Sequence, residues 1–210
     1  MDILLIGSGG REHAICYGLK KSKLAEKIYC APGNPGMAEI AECVDIPSDN
    51  ESIAAFAAEK KVGLVVIGPE APLCQGVADA VRAKGIPVFG PSKAAAQLEG
   101  SKDFSKAFMV KYNIPTAAYA SFTDQESAEN YVRSEYSAGR GVVVKADGLA
   151  AGKGVIVASN QEEALAGVRE CFSGAFGNAG YRVVIEELLE GEEASILALT
   201  DGKSIIPLVS

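Results

Sequence analysis

Short apolar runs alternate with amphipathic stretches over roughly the first ninety positions. DILLIG is an apolar run ending in a glycine, which predicts a buried parallel strand feeding a turn. REHAICYGLKKS follows, with Ala14, Ile15, Gly18 and Leu19 at helical spacing. KIYCAPGN predicts a second strand and loop, and CVDIP a third strand. NESIAAFAAEKK predicts a helix with Asn50 as its cap. VGLVVIGPEAPL predicts a strand running into a proline-containing loop. GVADAVRAKG predicts a helix closed by Gly85, and IPVFGP a further strand. Strand and helix in regular alternation predict an α/β fold with a doubly wound parallel sheet.

The texture changes from Ser92 onward. KAAAQLEGSKDFSKAFMVKYN predicts one helical stretch bridging two units, and IPTAAYASF an extended segment. DQESAENYVRSEYSAG predicts a capped helix, and NQEEALAGVRECFSGA another. VVVKADGLAAGKGVIV reads as two strands around a glycine loop, and YRVVIEELL, EEASILALT and SIIPLVS as three more strand-like runs. Strand, glycine loop, strand, helix, strand, strand predicts an α+β unit with an antiparallel sheet. The last run is apolar rather than a polar tail, which suggests the front part of a longer protein.

Composition narrows the function. The net charge of -7 and a pI near 4.9 argue against nucleic acid or an anionic membrane as the main partner. The five cysteines are scattered, odd in number and without a C-x-x-C pair, and His13 is the single histidine, so a zinc site is disfavoured. A reduced, cytoplasmic compartment follows most simply. MDILLIGSGG has an acid at position 2 and too short an apolar stretch for a signal peptide, and no segment approaches a membrane span.

Three loops follow predicted strands of the first unit. GSGGRE, from Gly7 to Glu12, could offer backbone N–H groups to a phosphate at a helix N-terminus. A dinucleotide fingerprint wants a small residue where Glu12 stands, and an acid near the end of the second strand, where CAPGN has none. An NAD-linked oxidoreductase is therefore disfavoured. APGNPG and GPEAPL follow the other strands, and such loops line one crevice in an open parallel sheet. Taken singly, each is also explained by turn chemistry alone. Together they point to a small-molecule site, with Glu70 held between two prolines to receive an amine or hydroxyl.

The GLAAGKG segment is not a P-loop. Three residues separate Gly148 from Gly152, Gly154 follows Lys153, and no hydroxyl is placed for magnesium. It reads better as a flap between antiparallel strands that closes over phosphates. Lys145 shares a strand face with Val143, opposite Val142 and Val144. A lysine among valines is costly to bury without an anion, unless it snorkels to water. VVIEELLEGEEAS could line a nucleotide with backbone groups, leucines and a carboxylate, or be an ordinary acidic hairpin.

The set GSGGREHA, APGNPG, GPEAPL, FGPSKAAAQLEGSKDFSKAFM, IPTA, VVKADGLAAGKGV and VVIEELLEGEEAS resembles the phosphoribosylamine–glycine ligases, the glycinamide ribonucleotide synthetases of purine biosynthesis. These belong to the ATP-grasp superfamily, and the resemblance runs from Met1 to Ser210. It implies a Rossmann-like first domain over 1–100, a linking helix and extended segment over 101–122, a small flap subdomain over 123–190, and the incomplete start of a larger subdomain over 191–210. The implied reaction joins glycine to 5-phosphoribosylamine through a glycyl phosphate, with ATP giving ADP and phosphate. Carried over by position, Lys145 is the catalytic residue, and Lys145 and Lys102 contact ATP phosphates, with Lys106 ranked behind Lys102. Gly148, Gly152, Lys153 and Gly154 belong to the flap; Glu186, Glu187, Leu188 and Leu189 meet adenine; Glu193 meets ribose. Gly10, Arg11, Glu12, Asn34 and Glu70 face phosphoribosylamine, with His13 capping or packing beside them. Magnesium or manganese is implied too, with ligands expected beyond residue 210, so this chain is expected not to turn over by itself. The alternatives are a non-catalytic nucleotide-binding fragment and another ATP-grasp carboxylate–amine ligase or biotin-carboxylase-like enzyme.

Overall fold

The computed structural model describes residues 1–149, 153–177 and 181–208. The first unit is a parallel five-stranded sheet in the order β3-β2-β1-β4-β5. Its strands are β1 (Ile3–Gly7), β2 (Ile28–Pro32), β3 (Glu42–Cys43), β4 (Leu64–Ile67) and β5 (Val88–Phe89). Helices α1 (Gly10–Lys20), α2 (Pro35–Ala38), α3 (Asn50–Glu59), α4 (Glu70–Gln75) and α5 (Val77–Ala83) connect them. The continuous apolar run of β1 follows from its place in the centre. Leu4 and Ile6 pack with Ile53, Ala57, Val77 and Val81, whereas Ile3 and Leu5 pack with Cys16, Cys30 and Met37 on the opposite face. Both faces are covered, so no polar residue alternates in.

Local chemistry corrects three expectations. Asp49, not Asn50, caps α3, its Oδ1 accepting from the amides of Glu51 and Ser52 at 3.1 and 2.9 Å. CVDIP contributes only its first residue to a two-residue β3. GPEAPL is not a loop: Pro69 is the N-cap of α4 and Glu70 its first residue. Pro72 is tolerated because the first turn of a helix has no intrahelical acceptor for its N–H.

The bridging stretch is two helices, α6 (Lys93–Gly100) and α7 (Lys102–Lys111), broken at Ser101. Ser101 is extended (φ −141°, ψ 118°), and its hydroxyl accepts from the Phe104 amide at 3.1 Å, restarting the helix. The second unit is an antiparallel sheet in the order β6-β9-β7-β8, with β6 (Tyr119–Phe122), β7 (Val142–Ala146), β8 (Val155–Val157) and β9 (Val183–Glu187). The extended IPTAAYASF segment thus supplies its edge strand. Helices α8 (Gln125–Ser137) and α9 (Gln161–Phe172) cover one face, burying Val142, Val144, Ala146, Val183 and Ile185. Lys145 and Glu186 lie on the other face, as strand alternation requires. A small antiparallel pair, β10 (Ala198–Thr200) and β11 (Ile205–Pro207), follows, fully exposed. Among the described residues, no helix is long and apolar enough to cross a membrane. The cysteines are free; burial pushes the Cys171 thiol up to about 11.

Candidate functional site

The loops after β1, β2 and β4 do meet at one edge, where β1 and β4 adjoin and the winding of the sheet reverses. A cavity of about 230 Å³ opens there, lined by Ser8, Gly9, Glu12, Pro47, Ser48 and Pro69 among others. Gly10 begins α1, with nothing within 4 Å of where a side chain would project. Glu12 turns inward and is buried: its Oε2 accepts from the Gly9 amide at 2.8 Å and its Oε1 from Arg11 Nε at 3.0 Å. It occupies the space that Gly7, Gly9 and Gly68 leave open. Arg11 reaches across to Glu70, with Nη1 to Oε1 at 2.8 Å. That bond holds the Glu70 carboxyl below its ordinary range, and the two carboxylates raise the Arg11 guanidinium further. Asn34 caps α2 through its Oδ1, which accepts from the Met37 amide at 2.9 Å, while its Nδ2 donates to the Ser8 carbonyl at 2.9 Å. It therefore ties two of the loops together, and both ends of its amide are engaged. His13 packs over Gly36, where a Cβ would come within 2.4 Å of its Cε1.

A second cleft, of about 350 Å³, lies between α6, α7 and the open face of the second sheet. Lys102, Lys106, Lys145, Glu186, Thr116 and Glu99 are on its walls. Lys102, Lys106 and Met109 line it from α7 at a spacing of four and three, which is one helical face. Lys145 Nζ donates to Glu186 Oε1 at 2.8 Å, and Lys106 Nζ to Glu186 Oε2 at 2.7 Å. Lys106 also donates to Thr116 Oγ1 at 2.8 Å and to the Ala117 carbonyl at 3.1 Å. Lys102 Nζ donates to the Gly148 carbonyl at 3.0 Å, at the near end of the glycine segment. Asp147, just before it, accepts from Ser101 Oγ and from the amides of Lys102 and Asp103, so it caps α7 from outside the helix. The end of β7 and the start of α7 are joined at that point.

The site residues assigned by resemblance fall unevenly on this cleft. Lys145 and Lys102 are on its wall, and so is Lys106, which sequence reasoning had ranked behind Lys102. Gly154 pairs its carbonyl with the Ala146 amide at 2.8 Å, Lys153 is exposed, and Gly152 lies outside the described residues. Glu186, assigned to adenine by resemblance, turns its carboxylate to the two lysines. The Glu187 amide donates to the Ala118 carbonyl at 2.8 Å and its Oε2 accepts from the Ala118 amide at 3.3 Å. The Leu188 amide donates to the Gly141 carbonyl at 3.0 Å. Those two amides serve the sheet and its border. Leu189 and Glu193 are exposed. Among the described residues, no group of three or more His, Cys, Asp or Glu side chains could hold a metal ion.

Comparison with known proteins bears on the whole length. The phosphoribosylglycinamide synthetase N domain matches residues 1–99, and the ATP-grasp (A) domain of the same synthetase matches residues 100–210. A phosphoribosylamine–glycine ligase from Brucella melitensis is 57% identical over 211 residues, covering 100% of this chain and 49% of that protein. One from Rhizobium meliloti is 56% identical, also over 100% and 49%. The crystal structure of a phosphoribosylamine–glycine ligase from Thermotoga maritima superposes with a TM-score of 0.79 at 30% identity, covering 99% of this chain and 49% of that one. A D-alanyl-alanine synthetase A from Vibrio cholerae shares the fold alone, with a TM-score of 0.70 at 16% identity. The chain spans about half the length of the curated relatives it matches. Matched from end to end by the two domains of one synthetase, this chain belongs to the phosphoribosylglycinamide synthetase, or phosphoribosylamine–glycine ligase, family.

Proposed function

We propose that this chain supplies the first substrate-binding unit and the ATP-phosphate wall of a ligase that joins glycine to 5-phosphoribosylamine. The observation that carries this reading is the convergence of Lys102, Lys106 and Lys145 on one cleft beside the glycine segment, in a chain of this family. The unit boundary is drawn near residue 100, where the two family matches meet. The protein works in the cytoplasm on small molecules, and its free cysteines suit a reducing compartment.

In this reading the glycine carboxylate attacks the γ-phosphate of ATP, releasing ADP and forming a glycyl phosphate. The amine of phosphoribosylamine then attacks the glycyl carbonyl and expels phosphate. The residues of this chain have three tasks: to hold a polyphosphate, to offset the charge that develops on it, and to keep water from the acyl phosphate. Lysines on a strand and a helix that face one cleft, one of them bonded to the Gly148 carbonyl, suit the first two. Lys145 is assigned the γ- and β-phosphate side, and the exposed Leu189 and Glu193 the nucleoside side. The crevice at Arg11, Asn34 and Glu70 is assigned to phosphoribosylamine. Its Arg11–Glu70 pair must then open, so that the guanidinium can fork onto the substrate phosphate and the carboxylate can take the amine. Magnesium is assigned to residues outside this chain.

The test is glycine-dependent ADP formation with magnesium, ATP and freshly generated phosphoribosylamine. The 210-residue chain alone is expected to be inactive. Completed with the remaining half of the 57% identical Brucella relative, it should become active, and Lys145→Met should abolish that activity. ADP formation that needs no glycine, or that survives Lys145→Met, would sink the reading.

A further inference from the structure

A buried carboxylate in a cleft assigned to a polyanion needs a reason. Glu186 is 7% exposed, and its two oxygens are divided between two lysines on different elements. Lys106, on α7, is anchored: Thr116 Oγ1, the Ala117 carbonyl and Glu186 Oε2 account for all three of its N–H donors. Lys145, on β7, is different. Its ammonium is given Glu186 as its partner among the described residues, which leaves it two donors on the cleft side. Register brings the two together. Val143 pairs with Glu186 and Lys145 with Val184, so Lys145 and Glu186 are diagonal neighbours on the uncovered face of the sheet.

We infer that Glu186 is a positioning residue that links an anchored lysine to an acting one: pinned by Lys106, it aims the Lys145 ammonium into the cleft. The inference rests on the phosphate-binding reading of that cleft. A lysine head on a four-carbon stem has no fixed position of its own. Two ammonium groups sharing one carboxylate would also repel each other if it were removed. The carboxylate therefore works for the anion site by holding the donor in place, although its own charge is of the wrong sign for a phosphate. Lys106 contributes at one remove, since its donors are already used.

The two effects of Glu186, alignment and repulsion, give opposite signs in one experiment. Tripolyphosphate, which lacks the nucleoside, is titrated calorimetrically into the 210-residue chain and into Lys145→Met, Glu186→Gln and the double variant. Glutamine keeps the shape but presents its NH₂ to one ammonium. Lys106 retains Thr116 and Ala117, so the fold should survive, which melting checks. Glu186→Gln is expected to weaken tripolyphosphate binding about tenfold or more, the scale of a hydrogen bond to a charged group. In the Lys145→Met background the same change should add nothing, because there is no ammonium left to aim. A merely structural role would weaken both backgrounds alike. Binding unchanged or tighter in Glu186→Gln, or a full additional loss in the double variant, would overturn the inference alone. No binding by the unaltered chain, or none lost in Lys145→Met, would overturn the phosphate reading and the inference with it. Should Glu186→Gln not fold, Glu186→Asp draws the carboxylate back by one methylene group, keeps every charge and carries the same expectations.

Discussion

Gly68→Ala puts one methyl group into the most crowded corner of the first unit. Its Cβ would lie 2.4 Å from both Cγ and Oε1 of Glu12 and 2.7 Å from its Cδ. Ordinary contact between such atoms begins at about 3.5 Å. Gly68 does not adopt the left-handed conformation, so the change tests the contact and not the backbone. Gly7, at φ 129°, would confound the two. Glu12 can yield only by leaving the Gly9 amide and Arg11, which removes a capping-box bond worth about 1 kcal/mol. Otherwise the core must strain, at about 1–3 kcal/mol. The cost is therefore about 1–3 kcal/mol, which lowers the melting midpoint by roughly 2–12 °C in a chain of this size. Glu12→Ala removes the three atoms nearest to the new methyl group. The double variant Gly68→Ala, Glu12→Ala should therefore be no less stable than Glu12→Ala alone. Urea unfolding followed by circular dichroism, run as a double-mutant cycle, measures this. A neutral Gly68→Ala, or a double variant equal to the sum of the singles, would refute the account of why Glu12 stands where a dinucleotide fingerprint has a small residue.

Two further predictions concern the second unit. Glu129 on α8 accepts from Arg169 at 3.0 Å, Gln125 at 2.9 Å and Arg133 at 2.7 Å, and Arg169 foremost pulls its carboxyl from the ordinary 4.5 down to about 2. A depressed carboxylate stabilises fully above its unfolded value and loses that contribution as pH falls, here between about 4.5 and about 2. The urea midpoint of the unaltered chain should fall more steeply over that window than that of Glu129→Gln; parallel curves would show that the Arg–Glu network does not carry the acid sensitivity. Asp147→Ala removes the acceptor for Ser101 Oγ and the first amides of α7, and should cost about 1–2 kcal/mol by thermal melting. Asp147→Asn keeps the acceptor and should recover most of it; no recovery would mean that charge, not capping, is what matters.

The parallel sheet was legible because its signal is strong and repeated: β1 and β4 are buried on both faces, so they read as unbroken apolar runs between glycines and helical spacings. The misreadings occurred where one side chain overrides a pattern. Asp49 and Asn50 are both good caps, and periodicity cannot choose between neighbours; the extended backbone at Asp49 does. GPEAPL looked like a loop because prolines break helices, yet a proline in the first turn costs no hydrogen bond. Ser101 splits α6 from α7 within a stretch that is helix-forming on both sides, through a hydroxyl whose value as a cap depends on one backbone angle.

The candidate site divides in the same way, between what local sequence encodes and what only folding brings together. Lys145 stood out because a lysine after three valines on a strand is costly to bury without an anion, and alternation alone put it on the face opposite Val142 and Val144. Lys106 had a usable signal, since Lys102, Lys106 and Met109 repeat at helical spacing, but nothing in that spacing says which lysine head is buried. The answer comes from Thr116 and Ala117, ten and eleven residues further on, which supply its oxygen partners. The pairing of Glu186 with two lysines was beyond sequence reasoning for a deeper reason. In EELL the first acid is indistinguishable from the second, yet strand alternation sends Glu186 towards two lysines and leaves Glu187 to accept from the Ala118 amide. One residue of register separates a carboxylate buried in the lysine-lined cleft from one at its border. Motif transfer by position carries the letters across but not that register. Charge order within the cleft, carboxylate between anchored and acting lysine, is therefore a property of the pairing of β7 with β9 and of α7 against them, and it would move as a whole if that pairing slipped by one residue.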